Sequence, residues 1–115
     1  MNKPFQHHQP YKGCDLYLGD ALEVLPVLAG EGLKADMVFT DPPYGTTHCR
    51  WDSMIDIPDM WQAVSLITMP DTPILLFCQQ PFTSVLGSSN LKKLRYAWVW
   101  EKRKLQAFSM PNECR

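Results

Sequence analysis

Asp41-Pro42-Pro43-Tyr44 is the stretch whose residue types and spacing best suit chemistry. It follows a short apolar run, Met37-Val38-Phe39-Thr40, that reads as a buried strand. A carboxylate, two rigid prolines and an aromatic ring therefore leave a strand end together, where ligands of open α/β sheets collect. Proline fixes φ near −65° and donates no backbone N–H, so two in succession make a stiff turn with carbonyls free to accept. Asp41 and the Pro42 carbonyl can accept from one amino group while Tyr44 offers a π-face. That set suits a planar base carrying an exocyclic amine. The plainer alternative is an Asp-Pro turn with a tyrosine packed beside it.

The elements that must position this turn follow from periodicity. Residues 1–13 are polar and proline-bearing and read as a loose arm, with His7 and His8 given no role. Cys14 to Leu18 alternates as a first strand, ended by Gly19. Asp20 stands at an N-cap position with Glu23 three residues on, as in a capping box. Leu22, Leu25 and Leu28 supply an apolar helix face that Pro26 shortens or kinks. The Gly30-Glu31-Gly32 turn leads to a second strand over 35–40. Gly45 to Ile57 shows no periodicity, and so long a stretch suggests a functional loop. Pro58 suits the first turn of a helix, with Met60, Trp61, Val64 and Ile67 inward. Ile74 to Phe77 is continuously apolar, like a parallel strand covered on both faces. Pro81 opens a helix with Phe82, Val85 and Leu86 inward, ending near residues 87–90. Arg95 to Glu101 reads as a last strand with Tyr96, Trp98 and Trp100 on one face. The two tryptophans read as core rather than as base-stacking residues. The alternation of strands and helices gives an α/β fold with a mostly parallel sheet, in one domain over residues 1–115.

Composition bounds the class. Of 115 residues, 45% are hydrophobic and 20% charged, ordinary for a globular chain. No apolar run approaches the roughly 20 residues of a membrane span, and the N-terminus lacks a signal-peptide core. A cytoplasmic location is expected. Cys14, Cys49, Cys78 and Cys114 form no C-x-x-C pair, which points to reduced, mostly buried thiols and to neither zinc nor disulfides. The net charge of −1 gives duplex DNA little general attraction. Lys92, Lys93, Arg95, Lys102, Arg103 and Lys104 nevertheless cluster, with Glu101 as the only acid among them.

At its best motif the chain resembles the amino-directed DNA methyltransferases, which methylate adenine N-6 or cytosine N-4. Asp41-Pro42-Pro43-Tyr44 is similar to their catalytic motif, whose aspartate-led form is commoner in adenine enzymes. Leu18-Gly19-Asp20-Ala21-Leu22-Glu23 resembles their strand-then-Gly-Asp element. Gly45-Thr46-Thr47 and Trp51-Asp52 resemble the continuation in phage-type members, and Tyr96-Ala97-Trp98-Val99-Trp100-Glu101-Lys102 their late aromatic strand. The resemblance implies a Rossmann-like fold and methyl transfer from S-adenosylmethionine to adenine N-6 in DNA, in a restriction-modification or prophage setting. Cytosine N-4 is the alternative target. Asp41, Pro42 and Tyr44 would be catalytic, with Pro43 shaping the turn. Asp20 would contact the cofactor nucleoside while capping its helix. By their place in the long loop His48, Arg50 and Trp51 could approach DNA, with a solvated loop as the plainer reading, and for Trp51 and Asp52 the resemblance adds slightly to the DNA reading.

The resemblance also implies a glycine-rich cofactor loop running from strand to helix. The only Gly-x-Gly, Gly30-Glu31-Gly32, runs from helix to strand, the reverse context. The motif order is the β-type, so the expectation is an N-terminal catalytic half with an incomplete S-adenosylmethionine site, inactive alone. Its four strands, against about seven in the family, would leave apolar surface that drives self-association. A remnant or interaction module without catalysis is the competing class.

Overall fold

A computed structural model describes residues 2–45, 50 and 52–103. The chain forms two compact units, Met1–Thr40 with Asp56–Leu75, and Asp41–Ile55 with Leu76–Arg115.

The first unit opens with a hairpin. Strand β1 (Phe5–Tyr11) pairs antiparallel with β2 (Cys14–Gly19), placing Phe5 opposite Gly19 and His7 opposite Tyr17. Residues 5–11 are therefore a strand and not a loose arm. Gly13, at φ +86, turns the chain between them, a conformation glycine adopts without a Cβ penalty. His7 stacks on Tyr17 with ring centres 4.7 Å apart, and its Nε2 lies 2.7 Å from Asp15 Oδ1.

Helix α1 (Ala21–Gly30) follows at once. Asp20 Oδ1 accepts from Leu22 N–H at 2.9 Å, the expected N-cap. The helix continues through Pro26. Its buried residues are Val24 and Leu28, one turn apart, while Leu22 and Leu25 are half-buried. The inward stripe is thus rotated from the expected leucine face. Helix α2 (Ile57–Ile67) starts at an Asp56 cap that accepts from Asp59 N–H at 3.0 Å, with Pro58 in its first turn. Ile57, Met60, Ala63, Val64 and Ile67 are buried, and α2 packs on α1. Burying such side chains contributes roughly 1.5–3 kcal/mol each, so this helix pair is the main core of the unit.

Between these helices runs β3 (Val38–Thr40), parallel to β4 (Ile74–Leu76), with α2 in the connection. Parallel neighbours need such a crossover. Ala35 N–H donates to the Ile67 carbonyl at 2.7 Å, tying the approach to β3 to the end of α2, and Val38 N–H donates to the Pro73 carbonyl at 3.0 Å, just before β4. Each strand has three residues, and β4 is half-buried rather than covered on both faces.

In the second unit, α3 (Phe82–Ser89) buries Phe82 and Leu86 and leaves Val85 exposed, contrary to the expected inward set. Gln80 Oε1 accepts from Ser84 N–H at 3.3 Å and from Ser84 Oγ at 2.9 Å, which serves the first turn in place of a cap.

The expected fold needs correcting. The described residues form a two-stranded antiparallel sheet and a two-stranded parallel sheet, not a mostly parallel Rossmann-like sheet. The first two strands close on each other through a short turn, so β2 does not join β3. Residues 95–101 form no strand, and Tyr96, Trp98 and Trp100 are exposed rather than core. The thiols of Cys14 and Cys78 are free, with Cys14 half-buried and Cys78 exposed, so the latter departs from the buried reading. Cys49 and Cys114 lie outside the described residues. No helix among the described residues is long and apolar enough to cross a membrane.

Candidate functional site

The Asp41–Tyr44 turn begins where β3 ends, and the second unit holds it together. Pro42 is buried, Pro43 and Tyr44 are half-buried, and Asp41 is exposed. The Tyr44 hydroxyl donates to Asp41 Oδ1 at 2.5 Å, curling the turn so that its first and last side chains meet. The Tyr44 ring stacks on Phe82 at 5.3 Å between centroids. Phe82 is only 1% exposed, so this platform is fixed.

Asp52 ties the turn from behind. Its Oδ1 accepts from Tyr44 N–H at 3.0 Å and from Gly45 N–H at 3.1 Å. It is 6% exposed, and a buried carboxylate needs such donors. Gly45 takes φ +71, and a Cβ there would stand 3.0 Å from Met54 Cβ and 3.1 Å from Met54 N. Both backbone conformation and space therefore require glycine at this corner.

The Tyr44 phenol is pushed up to about 12. Burial is the largest cause, followed by the hydrogen bond to Asp41 and its charge, then by Cys78 and Asp52. Ionising the phenol would place a second negative charge against Asp41. Tyr44 therefore stays a neutral donor throughout the ordinary pH range, and its hydroxyl orients the carboxylate. Asp41 retains acceptor capacity, since a carboxylate has about four lone-pair sites. Stacking on Phe82 takes one face of the Tyr44 ring, so the tyrosine supports the acid from a fixed seat.

Two of these roles are not evident from residue type. Asp52 anchors the turn, and Phe82, inward as its position in the helix implies, lies against the Tyr44 ring. Backbone accounting carried a signal for the first. Pro42 and Pro43 have no N–H, so Tyr44 and Gly45 are the first donors after Asp41, and Asp52 is the only acid between residues 45 and 52. Thr46, Thr47, His48, Cys49 and Trp51 lie outside the described residues, and Arg50 is exposed.

Asp20 belongs to the first unit. One of its oxygens caps α1, and Gly19 before it has a packing role. A Cβ on Gly19 would lie 2.9 Å from the Pro4 carbonyl oxygen and 3.0 Å from Val24 Cγ2. The Gly-Asp element thus has a structural function of its own. Gly32, at φ +93, follows the C-terminus of α1. That end of a helix presents carbonyls, whereas an anionic or carboxylate group is held by the N–H groups of the opposite end. The Gly30–Gly32 turn therefore does not offer the helix N-terminal N–H groups that the carboxylate end of S-adenosylmethionine would use.

Comparisons with family models, with curated proteins and with solved structures each return no match.

Proposed function

We propose that Asp41, Pro42 and Tyr44 hold the exocyclic amine of a DNA base, as on the acceptor side of an amino-directed methyltransferase acting on adenine N-6. Pro43 shapes the turn. The observation that supports this reading best is the exposed Asp41 carboxylate, oriented by a neutral Tyr44 hydroxyl on a turn anchored through Asp52. The adenine amine is a poor nucleophile because its lone pair is delocalised into the ring. Accepting its two protons at Asp41 and at the Pro42 carbonyl favours a pyramidal nitrogen. The base must leave the duplex stack to reach such a turn. The methyl donor implied by the resemblance is S-adenosylmethionine, and the Gly30–Gly32 turn, at a helix C-terminus, does not suit its carboxylate end. The reading therefore concerns the acceptor alone.

That misfit favours a second reading, a base-binding module without transfer. One experiment separates the two. Bulged oligonucleotides carrying adenine, or purine that lacks the 6-amino group, are titrated with the chain, then incubated with methyl-labelled S-adenosylmethionine. The proposal expects adenine to bind roughly tenfold tighter than purine, the scale of a hydrogen bond to a charged group, and Asp41→Ala to erase the difference. Equal affinity for both sinks it. Label recovered in N-6 methyladenine supports the enzyme, and amine discrimination without label supports the binding module. Discrimination of cytosine from its des-amino analogue, and not of adenine, moves the target to N-4 of cytosine.

A further inference from the structure

Residues 91–103 carry an exposed surface that neither reading uses. Tyr96 is 71% exposed, Trp98 75%, Val99 93% and Trp100 77%. Such contiguous apolar exposure marks a contact surface. The stretch is rich in strand-forming residues, yet 95–101 belongs to no sheet. Tyr96, Trp98 and Trp100 alternate with Ala97 and Val99, so an extended chain here is apolar on both faces. A nucleic-acid stacking surface needs one apolar face, and Glu101 beside Trp100 opposes phosphate. A strand partner suits the pattern better.

We propose that residues 95–101 of two copies of this chain pair as antiparallel strands about a twofold axis through Trp98. The sequence is complementary to itself in that register. Arg95 falls opposite Glu101 twice, Tyr96 opposite Trp100 twice, Ala97 opposite Val99, and Trp98 opposite its own copy. Opposite charges and aromatic pairs are the favourable cross-strand combinations. A twofold interface requires such self-complementarity. One position further out, Leu94 meets Lys102, and beyond it Lys93 meets Arg103, where like charges stop the ladder. Within one chain, Tyr96 and Trp98 rings lie 5.6 Å apart and Trp100 lies 6.3 Å from Phe77, so the aromatic row is partly assembled before pairing.

Sedimentation equilibrium of the full chain at low salt tests this. The expected result is a reversible dimer of the 13.2 kDa chain. Arg95→Glu and Glu101→Arg, each alone, set like charges opposite and weaken self-association roughly tenfold. Mixing the two variants restores it as a heterodimer, because every Glu then faces an Arg. Trp98→Asp, which opposes two carboxylates at the centre, abolishes it. A monomer at all concentrations overturns the proposal, as does a dimer that both charge swaps leave intact. Weakened variants that do not rescue each other overturn the register. A monomer that instead binds single-stranded oligothymidine assigns the surface to nucleic acid.

Discussion

The hairpin of residues 5–19 and the stretch of residues 95–101 differ in how their order arises. β1 is mostly polar, with a proline at position 10, yet it is a paired strand. Residues 95–101 have the stronger strand composition and remain outside any sheet. β1 has a partner two residues beyond its end, and a glycine at positive φ closes the turn. Short closure costs little entropy, and His7, Tyr17 and Asp15 then meet across the ladder. Among the described residues the later stretch has no such turn and no neighbouring strand. Side-chain pattern states what a strand would bury, whereas a nearby partner decides whether it forms.

If order follows local ties, breaking each tie loosens its own region and spares the other. The largest effect is expected from Phe82→Ala. It removes a fully buried ring and the platform beneath Tyr44, at about 3–5 kcal/mol. Chemical denaturation measures the loss. Hydrogen exchange should rise at Tyr44 and Gly45 while the hairpin amides keep their protection. Equal loss in both regions would refute local ordering. Asp52→Ala comes next. It orphans the Tyr44 and Gly45 N–H groups, each unpaired donor costing about 1–3 kcal/mol. Asp52→Asn, which keeps an acceptor, should recover part of the stability, and an asparagine no better than alanine would show that the anchoring bonds are immaterial.

Gly13→Val addresses the other region. A β-branched residue at φ +86 is strained by roughly 1–2 kcal/mol. The His7–Tyr17 contact, read from ring-current shifts, should weaken while the Tyr44 signals hold still. Unchanged hairpin shifts would mean the turn tolerates a Cβ. The smallest effect is Tyr44's own titration. Its raised value means the folded chain keeps the phenolic proton longer than the unfolded one. This contribution to stability is complete below pH 10, declines as pH rises, and is gone past about 12. An ultraviolet difference titration between the chain and Tyr44→Phe should show one phenolate appearing near pH 12. Ionisation near 10 would mean that burial and Asp41 leave the phenol unaffected.

Much of the local structure was legible because its causes are local. Asp20 reads as a cap, Pro58 as a first-turn residue, and Met60, Val64 and Ile67 as buried, each from neighbours within two turns, while Trp61 of the same expected stripe is only half-buried. The sheet was not legible. Strand pairing depends on which runs meet, and nothing in the pattern of residues 14–18 says that they pair with the polar run before them rather than with residues 35–40. The polar composition of β1 hid a strand whose stability comes from its partner. Within the candidate site, the residues of the turn stood out by type, while the Asp52 contact spans a stretch of no periodicity and the Phe82 contact joins distant positions.

The paired bonds from Tyr44 and Gly45 to Asp52 work as a clasp on the candidate acid's turn. The prolines that stiffen Asp41-Pro42-Pro43-Tyr44 have no N–H of their own to hold it. The turn is therefore fastened by the two donors that follow the prolines, gripped by one carboxylate seven and eight residues away. Stiffness and anchorage in this turn are supplied by different residues, so a change at Asp52 can unfasten the Asp41 carboxylate without touching a single atom of the motif that carries it.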